Sequence, residues 1–244
     1  MGATASERSE SAVRSAVGAS GTAEPLRSLA MSPEPSPAIH LPAVCSIRTP
    51  RLLLRAYRTS DAPRMQSLIN INLDRLRPWM RWAREEPEPL EKKIERLRML
   101  RRNTLAGRDQ AFAIFTSDES QAMGGIGTHC RIGAGAREIG YWLGADFHRQ
   151  GYMTEAAAAL VRIGFEVQRL RRMEIHTDPT NIASAGVART LGFHLQTIVR
   201  NCVLQPDSPV RDDSLWALLG DQHGSSRAAA MPIEAFDRRG ERVL

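Results

Sequence analysis

The segment His148-Arg149-Gln150-Gly151-Tyr152-Met153-Thr154-Glu155-Ala156 carries the plainest chemical signal in the chain. An extended run, Glu138 to Gly144, leads through Phe147 into it. An amphipathic run follows, with Met153, Ala157, Leu160, Val161, Gly164 and Phe165 on one helical stripe. A strand that turns into a helix leaves the first-turn amides free, and the helix dipole favours negative charge there. Gly151 lets backbone come close to such an anion. Glycine before a helix is also an ordinary cap, so the segment specifies an anion site only in company with other motifs.

Other residues are candidates for proton transfer or substrate contact. Glu138 shares a strand face with Gly140 and Trp142, which suits it to take a proton from a nucleophile or to pair with Arg131 or Arg137 at the surface. Trp79 and Trp82, three apart in Leu76-Arg77-Pro78-Trp79-Met80-Arg81-Trp82-Ala83, fit one helical face, either packed in the core or walling an acceptor site. The three cysteines, Cys45, Cys130 and Cys202, form no CxxC pair, and the six histidines show no zinc-site spacing, so no metal is expected. Reduced thiols of this kind point to the cytoplasm. Gly124-Gly125-Ile126-Gly127 lies inside a strand with no helix after it, which excludes a dinucleotide fingerprint and marks a bulge or close approach.

Residues 1–44, rich in Ala, Ser, Pro, Gly, Glu and Arg, read as a disordered leader. They lack the apolar centre of a secretory signal, and no run in the chain approaches the roughly 20 residues of a membrane span. Residues 45–220 read as one domain, and residues 221–244 as an extension suited to an edge strand or a partner contact. Within the domain the order is strand, two helices, three strands, helix, strand, helix and two strands, an α+β (mixed α/β) pattern. The first strand spans Ile47 to Leu54, and the last helix starts near Asn181 and stops at Gly192. The net charge is +6, with only two lysines among 33 basic residues. The arginines are mostly scattered, which describes a solvated surface favourable to an anionic ligand better than a nucleic-acid groove.

Four motifs then stand in register: Glu138-Ile139-Gly140-Tyr141-Trp142-Leu143-Gly144, Gly151-Tyr152-Met153-Thr154-Glu155-Ala156, Asp178-Pro179-Thr180-Asn181-Ile182-Ala183-Ser184 and Leu191-Gly192-Phe193. Together they resemble the GNAT acetyltransferase superfamily, and within it the RimJ/RimL-type ribosomal-protein N-terminal acetyltransferases, over about residues 46 to 220. The resemblance implies a strongly twisted mixed sheet of about seven strands, splayed at its middle between Glu138–Gly144 and Met173–Thr177, with about four helices on its two faces. It implies acetyl-coenzyme A as cosubstrate, its pantetheine arm paired with main-chain groups of Trp142, Leu143 and Gly144. Amides of His148, Arg149, Gln150, Gly151, Tyr152, Met153 and Thr154 would receive the pyrophosphate. Asn181 would contact the pantetheine or thioester end and Ser184 would donate to the departing sulfur, while the same two residues also read as a helix N-cap and a first-turn residue. His148 and Met153 depart from the family pattern, which has Gln or Arg and Gly or Ala there. Ala188 stands where many members carry a tyrosine acid, which leaves Ser184 as the donor.

The chemistry so implied is attack of a neutral amine on a thioester, with Glu138 as the candidate general base and Trp79 and Trp82 on the acceptor side. Deprotonating an α-amine at pH 7 costs only about 1 kcal/mol, against about 5 for a lysine. A site without an evident strong base therefore suits a protein or peptide N-terminus. Small amines such as antibiotics or polyamines are the alternative acceptors, and a non-catalytic acetyl-coenzyme A or nucleic-acid module is the alternative outside catalysis.

Overall fold

The computed structural model describes residues 42–203 and 211–244. Most of the leader expected from the sequence, residues 1–41, lies outside them. Its last residue does not behave as leader: Val44 is fully buried and opens the first strand.

Pro50 has no amide hydrogen to give a ladder, and it splits the apolar run into a hairpin. The halves are β1 (Val44–Arg48) and β2 (Leu52–Ala56), paired antiparallel, where the sequence pattern implied one strand. Helices α1 (Ala62–Asn70), α2 (Leu73–Leu76) and α3 (Leu90–Leu105) follow. Asp61 precedes α1 and holds the buried Arg55 guanidinium of β2 through two bonds of 2.7 Å, fixing that helix to the sheet. Then come β3 (Gln110–Thr116), β4 (Ala122–His129) and β5 (Ala136–Leu143) as an antiparallel meander. Helix α4 (Tyr152–Arg162) runs into a wider turn, Ile163–Val167. It is followed by β6 (Arg172–Thr177), α5 (Ile182–Thr190), β7 (His194–Val203), β8 (Arg211–Leu219) and β9 (Glu234–Asp237).

The nine strands among the described residues form one sheet in the order β7-β8-β6-β5-β4-β3-β2-β1-β9. The count exceeds the expected seven because of the β1/β2 hairpin and β9, which pairs with β1 at the far edge. One face carries α4 and α5, whose apolar sides meet Ile139, Met173 and Ile175 in the larger core. Ala156, Ala157, Ala158 and Ala159 are all fully buried, and their small side chains bring the α4 backbone close to the strands. The opposite face carries α1 and α3, where Met65 and Leu97 pack on Ala113 and Phe115. Among the described residues no helix is long and apolar enough to cross a membrane.

Candidate active site

The middle of the sheet is open. Strands β5 and β6 are parallel, yet their register holds only at Ala136 with Arg172, Arg137 with Met173 and Glu138 with Glu174. Beyond that vertex β5 continues to Leu143 beside β4 alone, and β6 turns to β8. The ladder with β4 decides which main-chain groups of β5 face the gap. Gly144 donates its N–H to the Met123 carbonyl at 2.8 Å, and Leu143 stands opposite Gly124. In an antiparallel ladder bonded positions alternate, so Gly140, Trp142 and Gly144 turn their main-chain groups to β4, and Ile139, Tyr141 and Leu143 turn theirs into the gap. This corrects the expectation for Trp142 and Gly144, whose main-chain groups belong to the ladder with β4, while those of Ile139, Tyr141 and Leu143 border the gap. The carbonyl of Gly144 is also engaged, accepting the Phe147 N–H at 3.1 Å.

At the open end of the gap the chain makes the turn into α4. Arg149 and Gly151 both take left-handed backbone, φ 60° and 79°. The His148 amide donates to the Ala145 carbonyl at 3.1 Å, and its ring Nε2–H donates to the Leu143 carbonyl at 3.0 Å. His148 is thus a brace within the turn, and the amide cradle runs from Arg149 to Thr154, not from His148. Those six amides have no backbone acceptor among the described residues. Met153 causes no conflict at its atypical position, because its side chain packs against the larger core.

Arg51, which the sequence pattern placed merely at a strand start, completes this turn. Its guanidinium donates to the Gln150 carbonyl at 2.9 Å, lies 4.4 Å from the Tyr152 ring centroid and bonds the buried Glu155 carboxylate at 2.6 Å. Glu155 also accepts the Arg51 amide at 2.9 Å and the Thr49 hydroxyl at 2.6 Å. It therefore ties the β1/β2 turn to α4 rather than serving only the helix dipole. Free amides, a helix N-terminus and a half-exposed guanidinium converge on one concave turn, which fits a polyanion such as a pyrophosphate.

Across the gap, Asn181 caps α5 by accepting the Ser184 N–H at 3.1 Å. The Ser184 hydroxyl lies 2.9 Å from the Tyr141 hydroxyl, so a pair of hydroxyls spans from the β5 arm to the start of α5. Burial pushes the Tyr141 phenol up to about 12, partly offset by its bond to Ser184, so the pair stays protonated at neutral pH. Tyr141 had a readable signal: strand alternation puts it on the face opposite Glu138, toward α5. The family's tyrosine position is taken by Ala188, which is fully buried.

The other face of the gap is charged. Glu138 is buried, and Arg131 clasps both of its carboxylate oxygens, through Nη2 to Oε1 and through Nε to Oε2 at 2.6 Å. Beside it, His176 places Nδ1 3.0 Å from Asp213 Oδ2 and Nε2 2.6 Å from Glu174 Oε2. Both ring nitrogens donate, and the bond to Asp213, helped by the one to Glu174, raises the imidazole to about 9. The remaining oxygen of Glu174 accepts from Arg172. Three carboxylates are thus balanced by Arg131, Arg172 and His176. Nothing in local spacing announced this network, because it joins β5, β6, β8 and the β4–β5 turn.

The two tryptophans part company. Helix α2 ends at Leu76, and the chain turns at Pro78 before a short 3₁₀ segment, Arg81–Glu85, so Trp79 and Trp82 do not share one helical face. Trp82 meets Trp142 edge-on, with ring centroids 5.7 Å apart. Trp79 points outward and is 40% exposed. Arg211 of β8 holds the Pro78 carbonyl and lies 3.8 Å from Asp178, tying the loop of Trp79 to the start of β8 and to the turn after β6. Among the described residues no cluster of His, Cys, Asp and Glu is suited to a metal ion.

Comparison with known proteins agrees with this geometry. Residues 51–194 match the family model of the acetyltransferase (GNAT) domain. The chain is 28% identical over 94 residues to the uncharacterized N-acetyltransferase YnaD of Bacillus subtilis (strain 168), a match covering 38% of this chain and 55% of YnaD. It superposes on Mycobacterium smegmatis RimJ in complex with CoA-disulfide with a TM-score of 0.65 at 25% identity, over 76% of this chain and 91% of that one. RimL, the ribosomal L7/L12 alpha-N-protein acetyltransferase in complex with coenzyme A, shares the fold at a TM-score of 0.65 and 24% identity, over 71% of this chain and 96% of that one. With the family model spanning more than half of its length, from the β1/β2 turn to the start of β7, the chain belongs to the GNAT acetyltransferase family.

Proposed function

We propose that this acetyltransferase moves an acetyl group from acetyl-coenzyme A to the α-amine of a protein or peptide N-terminus, in the cytoplasm. The observation that carries the reading is the gap past the Glu138/Glu174 pair, with the anion cradle of residues 149–154 at its open end. In this reading the cradle and Arg51 hold the pyrophosphate, and the extended pantetheine arm takes the place of a strand against Ile139, Tyr141 and Leu143. That directs the thioester toward the vertex. Its sulfur then departs near the Ser184–Tyr141 hydroxyl pair, with Ser184 supplying the proton. The acceptor enters on the opposite face, past Trp82 and Trp142.

The charge balance of that face supports an α-amine over a polyamine. Glu138, Glu174 and Asp213 are each matched by a cation, so the carboxylate cluster at the vertex offers no surplus negative charge of the kind several ammonium groups need. An α-amine also needs the smallest deprotonation, about 1 kcal/mol at pH 7. The test is thiol release from acetyl-coenzyme A with matched peptides. Turnover is expected on a peptide with a free N-terminus and blocked lysines. Turnover on lysine side chains with none on free N-termini overturns the acceptor class, and absence of any stabilisation by acetyl-coenzyme A overturns the donor.

A further inference from the structure

Resting on that reading, we infer that His129, held by Asp109, is the base that takes the proton from the acceptor amine. Its place in the fold carries the inference. His129 ends β4 directly opposite Glu138, on the acceptor face of the sheet. Its ring leans along β5 until Nε2 lies 3.2 Å from where a Cβ on Gly140 would be, so the absent side chain of Gly140 clears the space beside that nitrogen. Gly140 is the second position of β5 past the vertex, where the arm stands free of β6.

The hydrogen bonds around the ring fix its tautomer. Nδ1 lies 3.1 Å from Asp109 Oδ2, and the other oxygen of Asp109 accepts the Cys130 amide at 2.9 Å. The bonds from His129, and then those from Cys130, hold the Asp109 carboxyl well below the usual range, so it stays an acceptor. Nδ1 must then carry a proton, and in the neutral ring the lone pair sits on Nε2. Nε2 has no hydrogen-bond partner among the described residues. The carboxylates and the imidazole at the vertex are engaged otherwise. Both oxygens of Glu138 are filled by Arg131, both nitrogens of His176 by carboxylates, and both oxygens of Glu174 by Arg172 and His176. A carboxylate with an ordinary value near 4 is in any case a weaker base at neutral pH than an imidazole near 6.5.

The step balances as follows. One proton of the acceptor ammonium passes to His129 Nε2, directly or through one water, and the freed lone pair attacks the thioester carbonyl carbon. The C–N bond forms, the C–S bond breaks with its electron pair on sulfur, and Ser184 protonates that sulfur. The second nitrogen proton restores the Ser184 hydroxyl through solvent, and the imidazolium returns its proton to water by way of its partly exposed edge. The base and the acid thus work from opposite faces of the sheet, with the carbonyl between them.

The groups facing His129 are Asp109 and Cys130 on its own side, Glu138 from β5, and Arg131 from the turn between them, with Asp213 of β8 beyond Arg131 and Arg137 on the opposite face of β5. The experiment is the pH profile of kcat/KM for a peptide with a free N-terminus, alongside the ring nitrogen shifts of ligand-free protein by NMR. Wild type is expected to rise with slope near two below the values of both amine and imidazole, with Nδ1 protonated and Nε2 bare in the neutral form. His129→Gln is expected to lose about 100-fold at pH 7 and to keep slope one, with acetyl-coenzyme A affinity unchanged. His129→Gly regains turnover with added imidazole, and Asp109→Asn loses about tenfold as the tautomer shifts. Wild type active while His129→Gln keeps both rate and slope, or Nε2 found protonated in the neutral ring, overturns the assignment of His129 alone. Wild type releasing no thiol with any amine overturns the acetyl-transfer reading together with it.

Discussion

The two ends of the gap are built by different means. The turn before α4 is made almost entirely of backbone: two left-handed residues, six amides and a helix start, all within residues 148–154. The proposed acceptor face is made of side chains drawn from β5, β6, β8 and the β4–β5 turn, with Glu138, Glu174 and Asp213 matched in charge. A backbone site is specified by where glycine falls and tolerates changes such as His148 and Met153. A side-chain site depends on every partner being present, since each removal leaves a buried group unpaired.

Substitutions at the two ends should therefore separate affinity from turnover. The largest effect is expected from Ser184→Ala, which removes the proposed proton donor while sparing the Asn181 cap: kcat falls about 100-fold with acetyl-coenzyme A affinity unchanged. Equal loss of both in steady-state kinetics would erase the distinction. Next is Glu155→Gln, which weakens three bonds to Thr49 and Arg51 and lowers stability by about 2 kcal/mol in thermal or urea unfolding. Gly151→Ala puts a Cβ on left-handed backbone at a cost of about 1–2 kcal/mol, read as an approximately tenfold rise in the Kd of acetyl-coenzyme A by calorimetry. The acceptor rate constant should stay put.

The smallest expected effect is a pH dependence of stability. His176 is raised to about 9 in the folded protein from an ordinary 6.5, so its contribution is complete below pH 6.5 and is lost as pH climbs through 9. Because the ring is partly solvated, the loss is about 1 kcal/mol rather than the full linkage value. Wild type should destabilise between pH 7 and 9.5, and His176→Gln should be flat over that window by urea midpoint. A parallel decline in the variant would assign the effect elsewhere.

Legibility in the sequence follows the same division. Glycine positions, the proline before α5 and the helical stripe made the order of elements and the α4 turn readable, because each is a local backbone consequence of residue type, whereas the splay came only from the resemblance to the superfamily. Asn181 as a cap was readable for the same reason. The direction of the main-chain groups of Trp142 and Gly144 was not, since it depends on the register with β4, set by pairs far apart in the chain. Arg51 joins Glu155 across 104 positions, and His176 joins Asp213 across 37, with no periodicity to signal either. Glu138 illustrates the cost: its strand face was read correctly from alternation, while its clasp by Arg131 was only one of two open readings.

The gap also changes how the sheet relates to its surroundings. An ordinary open sheet has two edges, and here one of them is the four-residue β9, too short to recruit much of another strand. Past the vertex, however, the facing sides of β5 and β6 act as two further edges in the middle of the molecule, with main-chain groups of Ile139 and Tyr141 and the Leu143 amide turned away from β4, while the Leu143 carbonyl is held by His148. Any extended molecule that fills that slot supplies a missing strand. Occupancy is therefore coupled to the integrity of the whole sheet, and the empty protein is the form most open to pairing with a stray segment of another chain.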